Sequence, residues 1–561
     1  MNREPPANCT SPWQKAGWTT VLLVIGLSVY AAFSQPPAVA SDVGTYLLAN
    51  ATNSARHPTI LTSVDPKNLK ENRHSEITWW PASYGSIPET VRQVANRLGF
   101  NPNGAQVIQW TTFLGWLLGI SFWIWFFKLV CPARFLPWIC LTFLSARYSH
   151  ANFYLYDGGE FFYWASFPVV LILNYKAITS KQSDHYSAQL SAAAGVATPM
   201  LVLLKYSAGL STIGFGLAWL WLVYSQKVSK RNFVNWCVSA GVISGFILWL
   251  GLIPAGNPSQ VDSSMQWTPM LWIPGAWAFA MTDLGTLLNK FTVDALPHMG
   301  SHFDGSEGWL FLPFVLLLWW LLKIKASDEH TYPENIKGGE IYKKLAVGHL
   351  IGFSLVLGLL LIRGSAIHLD TRFLRPAAIT VMPLTLIPLW RIVSTASTEK
   401  VRRVVAAAVL FSLTIIPGLY GLAALGHKTF VRAEYASNLT DADGLRHDLL
   451  SRNGNAVDFF THLSNASTEQ DVIYLIEPTM GIPLSGRRLL IEEHAHLRTK
   501  EALTSRVYEG TPHGNVLIPI PNQLVLDCRA KAIEQSFSGL NTWRQEVIES
   551  QPDWVMLIGS P

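Results

Sequence analysis

Three arginines, Arg363, Arg372 and Arg375, fall in one short segment together with His368 and Asp370, and a further cation, Lys205, follows an apolar run in mid-chain. A guanidinium offers a planar fork that bonds an oxyanion bidentately and an ammonium adds a point charge, so this set suits a phosphate. The competing reading has Arg363 and Arg375 snorkel to lipid headgroups or pair with Asp370. A carboxylate, Asp42, stands in Ser41-Asp42-Val43-Gly44-Thr45-Tyr46, just beyond the first apolar run. At a membrane edge such a carboxyl, partly desolvated, would hold a raised pKa and take a proton from a hydroxyl as general base. On those six residues alone, an N-cap for a short helix from Val43 is the simpler reading. Two more acids, Asp157 and Glu160, occur in Tyr154-Leu155-Tyr156-Asp157-Gly158-Gly159-Glu160. They would orient an acceptor or a metal, although a glycine turn followed by a helix-start Glu explains the same string.

The elements that must position these residues are membrane spans. Only 14% of the 561 residues are charged and 50% are hydrophobic; mean hydropathy is +0.24. With 23 Trp, 27 Phe and 17 Tyr, this composition excludes a soluble acidic or basic binder and suits lipid-facing helices with aromatic ends. Apolar segments are expected to span at 18–33, 106–130, 135–148, 161–175, 190–204, 210–224, 233–253, 309–324, 345–362, 379–390 and 404–424, about eleven helices in all. The first also reads as a cleavable signal peptide ahead of Ala38-Val39-Ala40.

Lys and Arg concentrate on the cytoplasmic side of membranes. Lys128 and Arg134, Lys176 and Lys181, Lys227, Lys230 and Arg231, Lys323 to Lys344, and Arg391 to Arg403 occupy alternate loops, which are therefore inside. The outer side receives 34–105, the turn 147–160, the Lys205 turn, a Trp-rich loop 254–308, the turn 363–375 and the tail from 425. Against that bias, the arginines at 363–375 are an electrostatic anomaly, and an outward phosphate site in a membrane protein points to a polyprenyl-phosphate ligand. The tail reads as a small α/β domain, with strands expected at 471–476, 489–491, 523–526 and 553–558 and helices at 529–537 and 543–549.

Other ligand-type residues carry less. His298, His302, Asp304 and Glu307 contain ligand types and a His pair four apart, which without a helix to align them is weak evidence for zinc, and His57, His74 and Glu76 in the first outer loop are weaker evidence still. Glu492-Glu493-His494-Ala495-His496 is not HExxH and reads as a solvated charged turn. The five cysteines, Cys9, Cys131, Cys140, Cys237 and Cys528, form no CxxC pair. No GxGxxG or GxxxxGK[ST] occurs, so no nucleotide cofactor is expected. Trp79, Trp80, Tyr84 and Trp309 would anchor at the interface or stack on a sugar ring.

Taken together, Asp42 after the first span, Trp80-Pro81-Ala82-Ser83-Tyr84-Gly85 closing the first outer loop, Lys205-Tyr206-Ser207 after a mid-chain span, and Arg372-Phe373-Leu374-Arg375-Pro376 opening a late span resemble the GT-C glycosyltransferases. Relatives of that kind include bacterial protein O-mannosyltransferases and the aminoarabinose transferases of lipid A. The resemblance covers the order of parts over roughly Ala40 to Pro388 and departs where the family often has Pro-Pro and this chain has Pro81-Ala82. It implies a mainly α, polytopic enzyme that takes a sugar from a polyprenyl-phosphate donor on the outer face, with inversion. Asp42 then matches the catalytic carboxylate, and Lys205, Arg372 and Arg375 match positions near the donor phosphate. Some members use a divalent metal, and the residues do not decide whether this one does.

The expected organisation is a multi-spanning domain over 1–424 and an outward α/β domain over 425–561, in a bacterial inner membrane with the active site between the first loop, the Lys205 turn and the Arg372 turn. Expected partners are a polyprenyl-phosphate-linked sugar, a glycan, lipid or protein acceptor and the bilayer, with no nucleic acid. Two alternatives remain: an O-antigen-type ligase or polymerase, and a lipid-linked glycan transporter. Spans almost free of charge and without an evident repeat count against the transporter.

Overall fold

The computed structural model of the chain describes residues 12–39, 61–71, 74–77, 81, 83–180, 184–250, 277, 279–282, 284, 287, 311–322, 339–362, 371–394, 398–430, 444, 446–447, 456–476, 480–481, 484, 486–492, 500–549 and 553–561. In chain order these contain α1 (Pro12–Ser34), β1 (Ala38–Val39), β2 (Leu61–Val64), β3 (His74–Ile77), α2 (Ser83–Arg97), α3 (Gly104–Val130), α4 (Leu136–Ser145), β4 (Leu155–Tyr156), α5 (Gly159–Thr179), α6 (Asp184–Met200), α7 (Leu210–Tyr224), α8 (Lys230–Trp249), α9 (Phe311–Leu322), α10 (Gly339–Ile362), α11 (Thr371–Ser394) and α12 (Lys400–Phe430). The C-terminal part adds β5 (Arg446–His447), α13 (Ala456–Ala466), β6 (Val472–Leu475), β7 (Arg488–Ile491), α14 (Lys500–Thr504), β8 (Val516–Pro521), α15 (Asn522–Leu526), α16 (Arg529–Gln535), β9 (Thr542–Val547) and β10 (Trp554–Ser560).

Among the described residues, nine helices are long and apolar enough to cross a membrane, and two shorter apolar helices, Leu136–Ser145 and Pro313–Leu322, accompany them. Each falls on one of the expected apolar segments. The chain is thus a mainly α, multi-pass integral membrane protein. Its contacts divide it into a spanning unit (1–31, 113–151 and 160–429) and a second unit (32–112, 152–159 and 430–561). The second unit therefore takes in the first outer loop as well as the tail.

Within the spanning unit, small residues let helices touch. A Cβ on Gly352 of α10 would stand 2.8 Å from Gly214 Cα of α7, and one on Gly348 would stand 2.9 Å from Ala218 Cα. Facing pairs of small residues four apart are how helices pack where lipid supplies no hydrophobic drive between them. An aromatic core surrounds Trp123 of α3, whose ring lies 5.7 Å from Phe143 and 6.1 Å from Phe167 and whose Nε1 donates to Trp164 O at 3.1 Å. One polar hub serves four helices. Asn174 Oδ1 on α5 accepts from Trp219 Nε1 of α7 at 2.8 Å and from Trp236 Nε1 of α8 at 3.1 Å, while its Nδ2 donates to Thr198 Oγ1 of α6 at 3.2 Å. Leu220, Val242, Leu355 and Leu419 are exposed, as lipid-facing side chains should be.

In the second unit, α3 begins with a reciprocal cap. Gln106 N donates to Asn103 Oδ1 at 2.9 Å and Asn103 N to Gln106 Oε1 at 3.0 Å. The tail forms a five-stranded sheet of order β7-β6-β8-β10-β9, with β6 parallel to β7 and β8 and the remaining neighbours antiparallel.

Three tail expectations need correction, and one strand went unforeseen. The segment 523–526 is helical rather than a strand: Leu524 is buried while Leu526 is exposed, whereas a strand would put both on one face. The segment 543–549 contributes β9 rather than a helix, because it pairs residue by residue with β10 as an edge strand; most of its side chains are exposed, so no apolar alternation marks it. Strand β8 escapes prediction because Pro519 and Pro521 interrupt it. Its pairing with β6 ends at Leu517, so both prolines sit where the strand has one neighbour and a missing N–H is tolerated. Glu492 is not in a solvated turn: it is 3% exposed, and Tyr508 OH donates to its Oε1 at 2.8 Å.

Candidate active site

Beyond α6 the chain makes two short 3-10 turns, Leu201–Leu203 and Tyr206–Gly209, with Lys205 extended between them. That break carries the ammonium inward, and Lys205 is only 8% exposed. It forms an ion pair with Glu160, which stands in the first turn of α5, where a carboxylate meets the positive end of the helix dipole. A buried ammonium is costly unless paired. Two residues singled out for different roles, donor binding and acceptor or metal binding, are thus joined.

Arg375 sits in α11, one turn beyond Arg372, of which only the backbone is described. Its Cζ lies 5.2 Å from the centroid of the buried Tyr148 ring, a cation–π contact. Tyr148 belongs to the turn Arg147–Ser149, and its hydroxyl donates to Met281 O at 3.5 Å. The next residue, His150, is 1% exposed and donates Nε2–H to Gly421 O at 2.9 Å. Burial pushes its pKa down to about 4, and the Arg147 charge adds to that against the opposing carbonyl bond. The imidazole is therefore neutral at pH 7.

Arg375 reaches, through Tyr148, an aromatic cluster of the spanning unit. Tyr148 lies 5.9 Å from Phe143, and Phe143 stacks on Trp164 at 5.9 Å. Trp164 is one turn along α5 from Glu160, on the same face.

In the second unit, β1 pairs in parallel with both β4 and β5, Val39 lying opposite Tyr156 and His447. Asp157 follows Tyr156 directly, and its backbone N–H donates to Asn152 Oδ1 at 3.4 Å. The Tyr156 phenol is buried, and burial, then the Asp157 charge, pushes its pKa well up. Its hydroxyl donates to Tyr84 O at 3.5 Å. Tyr84 is itself buried over Gly159, where a Cβ would come 1.8 Å from the Tyr84 hydroxyl, so only glycine fits. Tyr84 is a packing residue, neither an interfacial anchor nor a platform for a sugar.

Asp42 lies outside the described residues, as do Arg363, His368, Asp370, His57, Trp79, Trp80, His298, His302, Asp304, Glu307, Trp309, His494 and His496; His74 and Glu76 are described by backbone only. Among the described residues no three His, Cys, Asp or Glu side chains come together as a metal set. Sequence reasoning passed over Tyr148 and His150, although Arg147-Tyr148-Ser149-His150 in a short outer turn signals aromatic and basic groups beside the membrane.

No family model matches the chain, and no curated protein matches it. Solved structures do. The apo oligosaccharyltransferase of Archaeoglobus fulgidus superposes with a TM-score of 0.50 at 9% identity, over 93% of this chain and 71% of that one. ArnT from Cupriavidus metallidurans, bound to undecaprenyl phosphate, gives a TM-score of 0.47 at 13% identity, over 97% and 98%. The arabinofuranosyltransferase AftD from Mycobacteria gives 0.43 at 11%, over all of this chain and 41% of that one. At such identities the likeness is one of fold, and the archaeal match carries it. The chain shares its fold with that archaeal oligosaccharyltransferase and is built as a multi-pass membrane protein.

Proposed function

We propose that the chain is a membrane glycosyltransferase that moves a sugar from a polyprenyl-phosphate donor to an acceptor hydroxyl or amine on the extracytoplasmic face of a bacterial inner membrane. The observation that carries this reading is the placement of two cations in a GT-C spanning unit, Lys205 held by Glu160 and Arg375 stacked on Tyr148. Buried or half-buried cations at expected outer turns of otherwise apolar helices suit an anionic lipid headgroup.

In the reaction, the bond between the anomeric carbon and the phosphate oxygen breaks and its electron pair stays on that oxygen. Lys205, Arg372 and Arg375 stabilise the charge that develops there. The acceptor oxygen attacks the opposite face of the anomeric carbon, giving inversion, and its proton passes to Asp42. Asp157 is assigned to orienting the acceptor or a metal, and Glu160 to orienting Lys205. Polyprenyl phosphate departs, and no nucleotide is needed.

The test is binding of undecaprenyl phosphate to the purified protein, with Arg375→Ala beside wild type. Loss of affinity by about tenfold or more is expected from removal of one charge-assisted contact. An unchanged dissociation constant would return Arg375 to a headgroup-snorkelling role.

A further inference from the structure

Between α2 and α3 the chain turns a corner that is capped on both sides. At the end of α2, Phe100 N donates to Ala95 O and Gly99 N to Asn96 O, each at 3.0 Å, with Gly99 at φ +86°; these are the paired bonds that close a helix through a left-handed glycine. Three residues after Phe100, the reciprocal bonds of Asn103 and Gln106 open α3. Hydrogen bonds thus fix the corner, yet its side chains are apolar and uncovered: Leu98 is 70% exposed and Phe100 57%. Neither belongs to the buried face of α2, which carries Tyr84, Pro88 and Ala95. Val94, one turn before Leu98 on the same side of the helix, is exposed too. The Phe100 ring meets Trp110 of α3 edge to face, with centroids 6.1 Å apart. One and two turns beyond Trp110, on the same side of α3, Leu114, Leu117 and Leu118 are exposed, and α3 has the length and hydropathy of a bilayer span. The apolar surface of the corner therefore runs through Trp110 into the lipid-facing surface of α3.

We propose that this corner is a membrane anchor: Val94, Leu98 and Phe100 enter the interfacial layer of the bilayer at the N-terminal end of α3, and their partner is glycerophospholipid. Continuity with the lipid-facing side of α3 selects lipid as the occupant. Position does so as well, since residues a few places ahead of a span stand at headgroup level, where Trp rings such as that of Trp110 concentrate. Helices at this level bury their apolar side about 5–10 Å into the boundary between headgroups and acyl chains. Arg97, exposed beside Leu98, stands among the headgroup phosphates with its stem over apolar surface. The far end of α2 carries Tyr84, packed over Gly159, so the anchor also sets the height of that turn relative to the lipid. The anchor is independent of the donor and acceptor of the transfer reaction.

The experiment uses the full chain in nanodiscs of phosphatidylethanolamine and phosphatidylglycerol. Hydroxyl-radical footprinting of the wild type compares Leu98 with Leu526, a leucine of the tail that is 76% exposed, so that the two share one intrinsic reactivity. Oxidation of Leu98 several-fold below that of Leu526 is expected, with Val94 and Phe100 protected alongside it. Equal oxidation of the two leucines overturns the anchor. A benzophenone amino acid placed at Leu98 or at Phe100 then identifies what covers them. Irradiation should give phospholipid adducts at both positions, and far fewer when the same group stands at Gln93, whose side chain donates to Glu89 on the polar side of α2. Crosslinks to a second copy of the chain, or to its own peptides, in place of lipid adducts overturn the anchor as well.

Discussion

Lys205 and Glu160 form an ion pair inside the spanning unit, with 10% and 17% of their side-chain surfaces exposed. Breaking a buried pair strands one charge, which costs about 3–5 kcal/mol, whereas replacing both partners by apolar groups is often neutral. Lys205→Met and Glu160→Gln should each lower the thermal midpoint in detergent, and Lys205→Met with Glu160→Met should recover most of the loss. Additive losses in the double variant would show that the two side chains do not act as a pair. Activity should follow a different pattern: under the proposed function the double variant lacks one of the three donor cations and should stay impaired though stable.

The stacking of Arg375 on Tyr148 separates ring from hydroxyl. Tyr148→Phe keeps the aromatic face and should leave donor affinity within about twofold. Tyr148→Leu removes a cation–π contact of about 1–2 kcal/mol and should weaken donor binding by roughly tenfold. Equal effects of the two variants on the dissociation constant would shift the role of Tyr148 to its hydroxyl and Met281 O.

Asn174 satisfies two indole N–H groups at once, those of Trp219 and Trp236. Asn174→Leu leaves both donors buried among apolar neighbours, at a cost of roughly 2–4 kcal/mol. A large fall in thermal midpoint is expected, with normal donor affinity in the protein that remains folded. A midpoint unchanged from wild type would mean that the indoles find other acceptors.

His150 gives stability a pH dependence of defined sign. Its pKa is held at about 4 in the folded chain against 6.5 in the unfolded one, so the unfolded state binds the proton first as pH falls. The full contribution is present above about pH 6.5 and is lost progressively toward pH 4, up to about 3 kcal/mol. Thermal midpoints measured from pH 7.5 to 4.5 should decline in wild type and decline less in His150→Gln. Parallel profiles for the two proteins would assign the acid sensitivity to other groups.

Much of this arrangement could be read from the residues, and the reasons for success and failure are physical. Spans such as Gly104–Val130 and Lys400–Phe430 announce themselves because a bilayer demands long apolar runs. Lys205 and Arg375 stood out because cations at the expected outer turns run against the charge bias of membrane proteins. Their partners were invisible: Glu160 lies 45 positions from Lys205 in the chain, and only the fold brings them together. The same holds for Ser63 and Ile491, 428 positions apart. In β9, exposure on an edge erased the apolar alternation that would have identified a strand, and in β8 two prolines masked one.

The account stands most directly on transfer that depends on Asp42. Purified protein would be incubated with a panel of polyprenyl-phosphate sugars and candidate acceptors, wild type beside Asp42→Asn, scoring loss of the lipid-linked sugar and release of free polyprenyl phosphate. The account predicts consumption of at least one donor by wild type and its near abolition in Asp42→Asn, with expression and donor binding intact. Equal turnover by the two proteins would contradict the general-base assignment, and no consumption of any donor by well-folded wild type would contradict the transferase reading itself.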